Sequence, residues 1–252
     1  QKDPTKIVGP MRDITVRKQA EKAVHGSALI KTNFVSNVSH ELRTPMASIL
    51  GFAGTILRDK NMADDTKMDF VRIINEEAQR LTRLIENVLD ISKMEAGTIS
   101  YTMQTVHLED VVSEVIDSQK VLAQKKDISL NIEIGKNLKP LHAATDSISQ
   151  LAVNLISNAI KFTDRSGTVG VKISRSGHEQ TFEVSDTGLG IPQEDIERIF
   201  DKFYRVEREK REDEGTGIGL AIVKEIADMH NAKLEVESVV GKGTKFRVIF
   251  PV

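Results

Sequence analysis

The chain has no cysteine and no tryptophan among its 252 residues. Without thiols, disulfides and thiolate-held metals are excluded. No apolar run approaches the ~18 residues that a membrane-spanning helix needs, and no signal peptide is visible. Charge of one sign is also missing: 35 Lys and Arg nearly cancel 37 Asp and Glu, leaving a net charge of −2. That balance provides no electrostatic footprint for nucleic acid, which is not expected as a partner. Proline is scarce, and between about Thr15 and Arg58 only Pro45 interrupts the chain. What remains is 39% hydrophobic and 29% charged, the composition of an ordinary folded domain.

In that proline-poor stretch Phe34, Val38, Leu42, Met46, Ile49, Ala53 and Ile56 recur at steps of three and four. The spacing predicts a long helix with one buried stripe. His40 falls on the far side, Thr44 shares that outer face one turn on, and Glu41 sits on the flank. A carboxylate beside an exposed imidazole can hold one ring nitrogen and leave the other free to attack. Pro45 lacks an N–H and frees the carbonyl of Glu41, so a bend is expected there. A polar turn over Asp59–Asp65 follows, with Asp64 or Asp65 as the candidate N-cap. Phe70, Ile73, Ile74, Ala78, Leu81, Leu84, Ile85, Val88 and Ile91 then repeat the helical period to about Met94, and Gly97 suits the cap. Two long helices and a short turn make an antiparallel hairpin. Each stripe is too wide for one partner, so two hairpins are expected to pair as a dimeric four-helix bundle.

After Gly97 the pattern changes. Residues Ser100–Leu108 read as extended chain, and Glu109–Lys126 as a helix. Asp127–Ile134 alternates as a strand, and Thr145–Phe162 is helical. Val169–Ser174 and Thr181–Ser185 read as strands, and Gly217–Met229 as a helix. Lys233–Ser238 and Thr244–Pro251 close as a hairpin around Gly241–Lys242–Gly243. Hairpins among interspersed helices predict a mixed sheet with helices on one face. The fold class is therefore α+β: a helical hairpin followed by an α/β sandwich.

Four segments of the second half carry chemistry of one kind. Asn154, Asn158 and Lys161 project from one helix face, where amide oxygens suit a hard cation and the ammonium suits phosphate. Asp186–Thr187–Gly188–Leu189–Gly190–Ile191–Pro192 follows a strand; its glycines allow close backbone approach, and its carboxylate can accept from an adenine amine. Gly215–Thr216–Gly217–Ile218–Gly219–Leu220 opens a helix whose free N–H groups suit phosphate. Gly241–Lys242–Gly243–Thr244 places Thr244 where it could support a base near Asp186. Taken singly, these read equally as a polar helix face and three turns. The charged stretch from Arg205 to Glu214 reads as a lid over the nucleotide or as a surface loop.

In order, the strings SHELRTP (Ser39–Pro45), NLISNAIKF, DTGLGIP, IFDKFYRVE, GTGIGLAIVK and GKGTKF resemble sensor histidine kinases of two-component systems, over about residues 30–252. The resemblance implies a dimerisation and phosphotransfer hairpin over residues 16–97 and an ATP-binding domain over 98–252. Val8–Lys18 is similar to the last strand and exit of a PAS domain, so residues 1–15 would be the end of an upstream sensor domain and linker, or else a chain end of arbitrary structure. His40 would be the phosphorylated catalytic residue, with Glu41 orienting and deprotonating it. Thr44 would position water for dephosphorylating a response regulator, and Lys161 and Arg205 would offset charge on the transferred group. ATP would meet Asn158, Lys161, Phe162, Asp186, Gly188, Gly190, Ile191, Phe203, Tyr204 and Arg205. It would also meet Gly215, Thr216, Gly217, Ile218, Gly219, Leu220 and Thr244, with Mg²⁺ at Asn154. Phe200 and Phe203 look like the family's aromatic anchor. The implied partners are a second copy of the chain, the receiver domain of a response regulator and the upstream sensor. The implied location is the cytoplasmic portion of a longer parent, membrane-anchored or not. Two rivals are a gyrase- or chaperone-like ATPase, in which the SHELRTP helix has no task, and a scaffold that has lost ATP binding.

Overall fold

The computed structural model describes residues 38–95, 101–206 and 217–252. The expectations placed on 1–37, on the Gly97 cap, and on the lid and glycines of 207–216 lie outside the described residues. The chain divides into two compact units, with the boundary inside a helix between Glu77 and Ala78.

The first unit is a helical hairpin. Helix α1 covers described residues 38–58, and α2 is Asp64–Glu95. The turn between them is closed locally: Asn61 N–H donates to Asp59 Oδ1 at 3.0 Å, the short-range bond that makes Asp a turn residue. Asp64 and Asp65 do not precede α2 but lie in its first turn, where carboxylates complement the free N–H groups. Phe52 and Phe70 join the two helices, with ring centroids 4.8 Å apart. Helix α1 runs unbroken through Pro45, which is buried.

The stripe of α1 is wider than its partner covers. Met46, expected inside, is 49% exposed, and Leu50, Leu57, Met68 and Val71 also face outward. Ile49 and Ile56 are half-buried as expected, and Pro45 and Phe52 join them on the covered side.

The second unit combines α2 from Ala78 onward with a two-layer sandwich. Its elements are β1 (Gln104–Val106), α3 (Leu108–Lys125), β2 (Ser129–Ile134), β3 (Leu141–Ala143), α4 (Thr145–Phe162), β4 (Thr168–Ser176), β5 (Glu179–Asp186), α5 (Gly219–Met229), β6 (Lys233–Val239) and β7 (Gly243–Pro251). The main sheet runs β2-β4-β5-β7-β6, and β1 pairs with β3 in a small separate sheet. Only β2 and β4 run parallel; the other pairs are antiparallel, so the sheet is mixed as expected.

Period-two alternation fixes which face is covered. Val169, Val171 and Ile173 of β4, Phe182 and Val184 of β5, and Phe246, Val248 and Phe250 of β7 are all buried. They meet the apolar faces of α3, α4 and α5, where Leu108, Leu155, Ile156, Ile222 and Ile226 are 1% exposed or less. The opposite face carries charge: Arg247 pairs with Glu183 at 2.8 Å and with Glu237 at 2.7 Å. Cross-strand pairs of this kind keep an open sheet face wet.

Several expected boundaries shift. The extended stretch before α3 contains a strand of only three residues, Gln104–Val106. Asp127 adopts φ +57, so β2 starts two residues later, at Ser129. Gly217 adopts φ +66, which holds α5 back to Gly219. Strand β3 was not anticipated; three residues are too few for alternation to register. His230 is a buried structural link. Its Nε2 accepts from Ala144 N–H at 3.1 Å, and its Nδ1 lies 2.8 Å from the Ile226 carbonyl.

Candidate nucleotide-binding site

Helix α4 supplies one wall of a cavity of about 400 Å³. Its inner side is apolar and buried, which turns Asn154, Asn158 and Lys161 outward along a single face. Asn154 Nδ2 donates to the Gln150 carbonyl at 2.9 Å, so the amide oxygen is the end presented. A Cβ on Gly219 would lie 2.8 Å from that oxygen, so a larger residue at the start of α5 would displace the Asn154 amide. The Lys161 ammonium stands 4.6 Å from the centre of the Phe162 ring, and both side chains line the cavity.

The end of β5 supplies the carboxylate. Asp186 Oδ1 accepts from Gly188 N–H at 2.8 Å and from Thr244 N–H at 3.2 Å. Two backbone donors on one oxygen fix the carboxylate's orientation. Thr244, from β7, also exchanges a hydrogen bond with Ser238 Oγ at 2.9 Å. The pairing of β5 with β7 thus brings together two segments nearly sixty residues apart in sequence.

The remaining walls come from the stretch after Ile199 and from the start of α5. Tyr204 donates to Asp195 Oδ1 at 2.5 Å, and the Arg198 guanidinium stacks 4.2 Å from the centre of its ring. Phe203 takes φ +64, uncommon for a side chain with a Cβ, while its N–H donates to the Gly217 carbonyl at 2.9 Å. That bond pins together the two chain ends that flank residues 207–216. Phe200 packs edge-on against Phe246, with ring centroids 6.5 Å apart.

Most residues singled out from sequence converge here. Asn154, Asn158, Lys161, Phe162, Asp186, Gly190 and Ile191 line the cavity, as do Tyr204, Arg205, Gly217, Gly219, Leu220 and Thr244. Three do not. Gly188 acts through its N–H on Asp186, while Phe203 and Ile218 are 8% and 0% exposed and belong to the core beneath the site. Ile218 points inward because the residue preceding α5 continues that helix's buried face. Gly215 and Thr216 lie outside the described residues. Arg80, Arg83 and Asn87 of α2 also line the cavity and were not singled out. The three-four spacing that marked Asn154, Asn158 and Lys161 was present there too, but it reads as a solvated helix face.

His40, Glu41 and Thr44 belong to the first unit. His40 and Thr44 are exposed on α1 and Glu41 is half-buried, as the helical period requires. Thr44 Oγ1 donates to the His40 carbonyl at 3.4 Å, a long bond at the edge of the useful range.

A helix with two amides and a lysine, a strand-end carboxylate and the start of a further helix thus wall one cavity of a two-layer α/β sandwich. A family model described as histidine kinase-, DNA gyrase B- and HSP90-like ATPase matches residues 143–252. A second, for the His Kinase A (phospho-acceptor) domain, matches residues 30–97. The chain is 32% identical over 225 residues to the circadian input-output histidine kinase CikA of Synechococcus elongatus, covering 88% of this chain and 30% of that protein. Among solved structures, full-length ShkA in complex with AMPPNP aligns at a TM-score of 0.65 with 26% identity, over 87% of this chain and 45% of that one. Histidine kinase ThkA, in complex with the response regulator TrrA, has the same fold at a TM-score of 0.70 and 24% identity, over 95% of this chain and 67% of that one. The chain belongs to the sensor histidine kinases, carrying their phosphoacceptor hairpin and their ATP-binding domain. It spans about a quarter to a half of the length of curated relatives that it matches, 24% in one case and 49% in another. Among the described residues no helix is long and apolar enough to cross a membrane.

Proposed function

We propose that this chain is the core of an ATP-dependent protein histidine kinase that phosphorylates itself on His40. The observation that carries the reading is the convergence of Asn154, Asn158, Lys161, Asp186 and Thr244 on one cavity, in a chain that also presents an exposed His40 beside Glu41. ATP is the nucleotide that fits. The held carboxylate of Asp186 accepts from the adenine amine, and the cationic side chains answer the phosphates. The relative ShkA holds the ATP analogue AMPPNP, which supports the assignment.

Transfer is an in-line displacement. One imidazole nitrogen of His40 attacks the γ-phosphorus, the bond to the β,γ-bridging oxygen breaks, and ADP leaves with that electron pair. The proton on the other ring nitrogen passes to Glu41. Lys161 and Arg205 offset charge on the moving phosphoryl group. Mg²⁺, when bound with the nucleotide, neutralises phosphate charge, and the presented amide oxygen of Asn154 is a donor of the right hardness for it.

The phosphoryl group then passes to an aspartate on the receiver domain of a response regulator; the structurally similar ThkA forms a complex with such a regulator. Thr44, one turn from His40, positions water for the reverse duty of dephosphorylating that partner. The outward stripe of Met46, Leu50, Leu57, Met68 and Val71 fits a second copy of the hairpin, giving a homodimeric four-helix bundle. The upstream part of the parent would be a sensor domain, and this portion would work in the cytoplasm.

The test is incubation with γ-labelled ATP and Mg²⁺, comparing wild type with His40→Gln. Label that is acid-labile and base-stable, and absent from His40→Gln, is the expected result. Undiminished labelling of His40→Gln would remove the acceptor from the scheme.

A further inference from the structure

The cavity has a wall that the four sequence segments did not announce. Arg80, Arg83 and Asn87 of α2 line it together with Asn154, Asn158 and Lys161 of α4. Spacings of three and four put these α2 residues on one side of the helix. That side is fixed against α4, because Gln150 Nε2 donates to Asp90 Oδ2 at 2.9 Å, one turn before Asn154 and one turn beyond Asn87. Arg80 is half-buried despite its charge.

The charge of the cavity is lopsided. Among its described lining residues, Arg80, Arg83, Lys161 and Arg205 are cationic, and Asp186 is the one carboxylate. If Asp186 is occupied by the base, as the ATP reading requires, the cations face an anion of high charge. A guanidinium presents a planar fork of donors that matches the oxygens of phosphate. Two forks on successive turns of one helix suit a chain of phosphates better than a single one.

We propose that Arg80 and Arg83 form a second wall of the polyphosphate subsite, so that the nucleotide is gripped by α2 as well as by the sandwich. The proposal rests on the ATP reading of the cavity and adds to it the α2 residues that bind the phosphates. It makes affinity depend on the number of phosphates, and it makes the nucleotide a clasp holding α2 to α4.

The test compares binding of ATP, ADP, AMP and adenosine by calorimetry, using the whole chain in three forms: wild type, Arg80→Gln/Arg83→Gln, and Arg80→Lys/Arg83→Lys. In the Gln pair, ATP affinity falls about 10- to 100-fold, since charge-assisted bonds are lost. The loss shrinks through ADP to AMP and vanishes for adenosine. The Lys pair recovers part of the loss, because charge is kept and the fork is not. The salt dependence of ATP binding becomes shallower in the Gln pair. ATP affinity within about twofold of wild type would overturn the proposal while leaving the site reading intact. An equal loss for all four ligands would also overturn it, since that marks damage to the fold. Failure of the site reading itself looks different: the wild-type chain would bind no adenine compound at all, and the proposal would fall with it.

Discussion

Gln150 and Asp90 are joined by a 2.9 Å hydrogen bond from Nε2 to Oδ2, which ties α4 to the latter half of α2. It is a neutral donor on a charged acceptor, partly shielded from water. Nearby, burial pushes the Tyr101 phenol up, with Asp90 and Glu225 adding to the effect. Asp90→Ala removes the tie without touching any residue on the cavity wall. The expected result is ATP binding weaker by about three- to tenfold, with adenosine binding unchanged. Unchanged ATP binding would mean that the bond does not position Arg80 and Arg83.

Thr44→Ala separates the two activities proposed for the hairpin. The hydroxyl is exposed and only loosely held by the His40 carbonyl at 3.4 Å, so it can turn toward water. Dephosphorylation of a phosphorylated receiver domain should slow by roughly tenfold or more, while labelling of His40 continues. Release of phosphate from the purified regulator measures this. A variant with full phosphatase activity would end the proposed role of Thr44.

His230→Ala tests the link between α5 and the start of α4. The ring is 7% exposed and bonded through both nitrogens. Truncation leaves Ala144 N–H buried without its acceptor and opens space beside Phe250. The expected cost is about 2–4 kcal/mol in urea unfolding. A loss below about 0.5 kcal/mol would show that water replaces the imidazole at no penalty.

The outer face of the sheet predicts a pH dependence with a definite sign. The hydrogen bond and charge of Arg247 hold the Glu237 carboxyl below its usual range, and Lys233 chiefly does the same for Glu235. A depressed carboxyl in the folded state adds stability above its unfolded value and loses it as pH falls through the folded one. Wild type should therefore melt higher than Arg247→Gln at about pH 7, and the gap should close as the pH drops through about 4. Melting curves at a series of pH values measure it. A gap that stays constant into acid would assign the effect of Arg247 to packing, not to its carboxylate partners.

Helical period alone placed His40 and Thr44 outward, because a 3.6-residue repeat fixes a face without reference to anything else. The same local rule marked α4's Asn154, Asn158 and Lys161, and it marked the mixed sheet through alternation and turns. Boundaries went astray where a single backbone torsion decides them, as at Asp127 and Gly217. Strand β3 escaped because it exists only through its pairing with β1.

The sequence by itself therefore determined which face of its own element each candidate residue takes, since that follows from spacing along the chain. Only the tertiary structure decided that Thr244 N–H reaches Asp186 and that Asp90 reaches Gln150. It alone also brought Arg80 and Arg83 to the cavity wall. Those relationships depend on which strands pair and which helices pack. Such contacts join residues tens of positions apart, and their energy comes from burial and hydrogen bonding across elements, which no local pattern encodes.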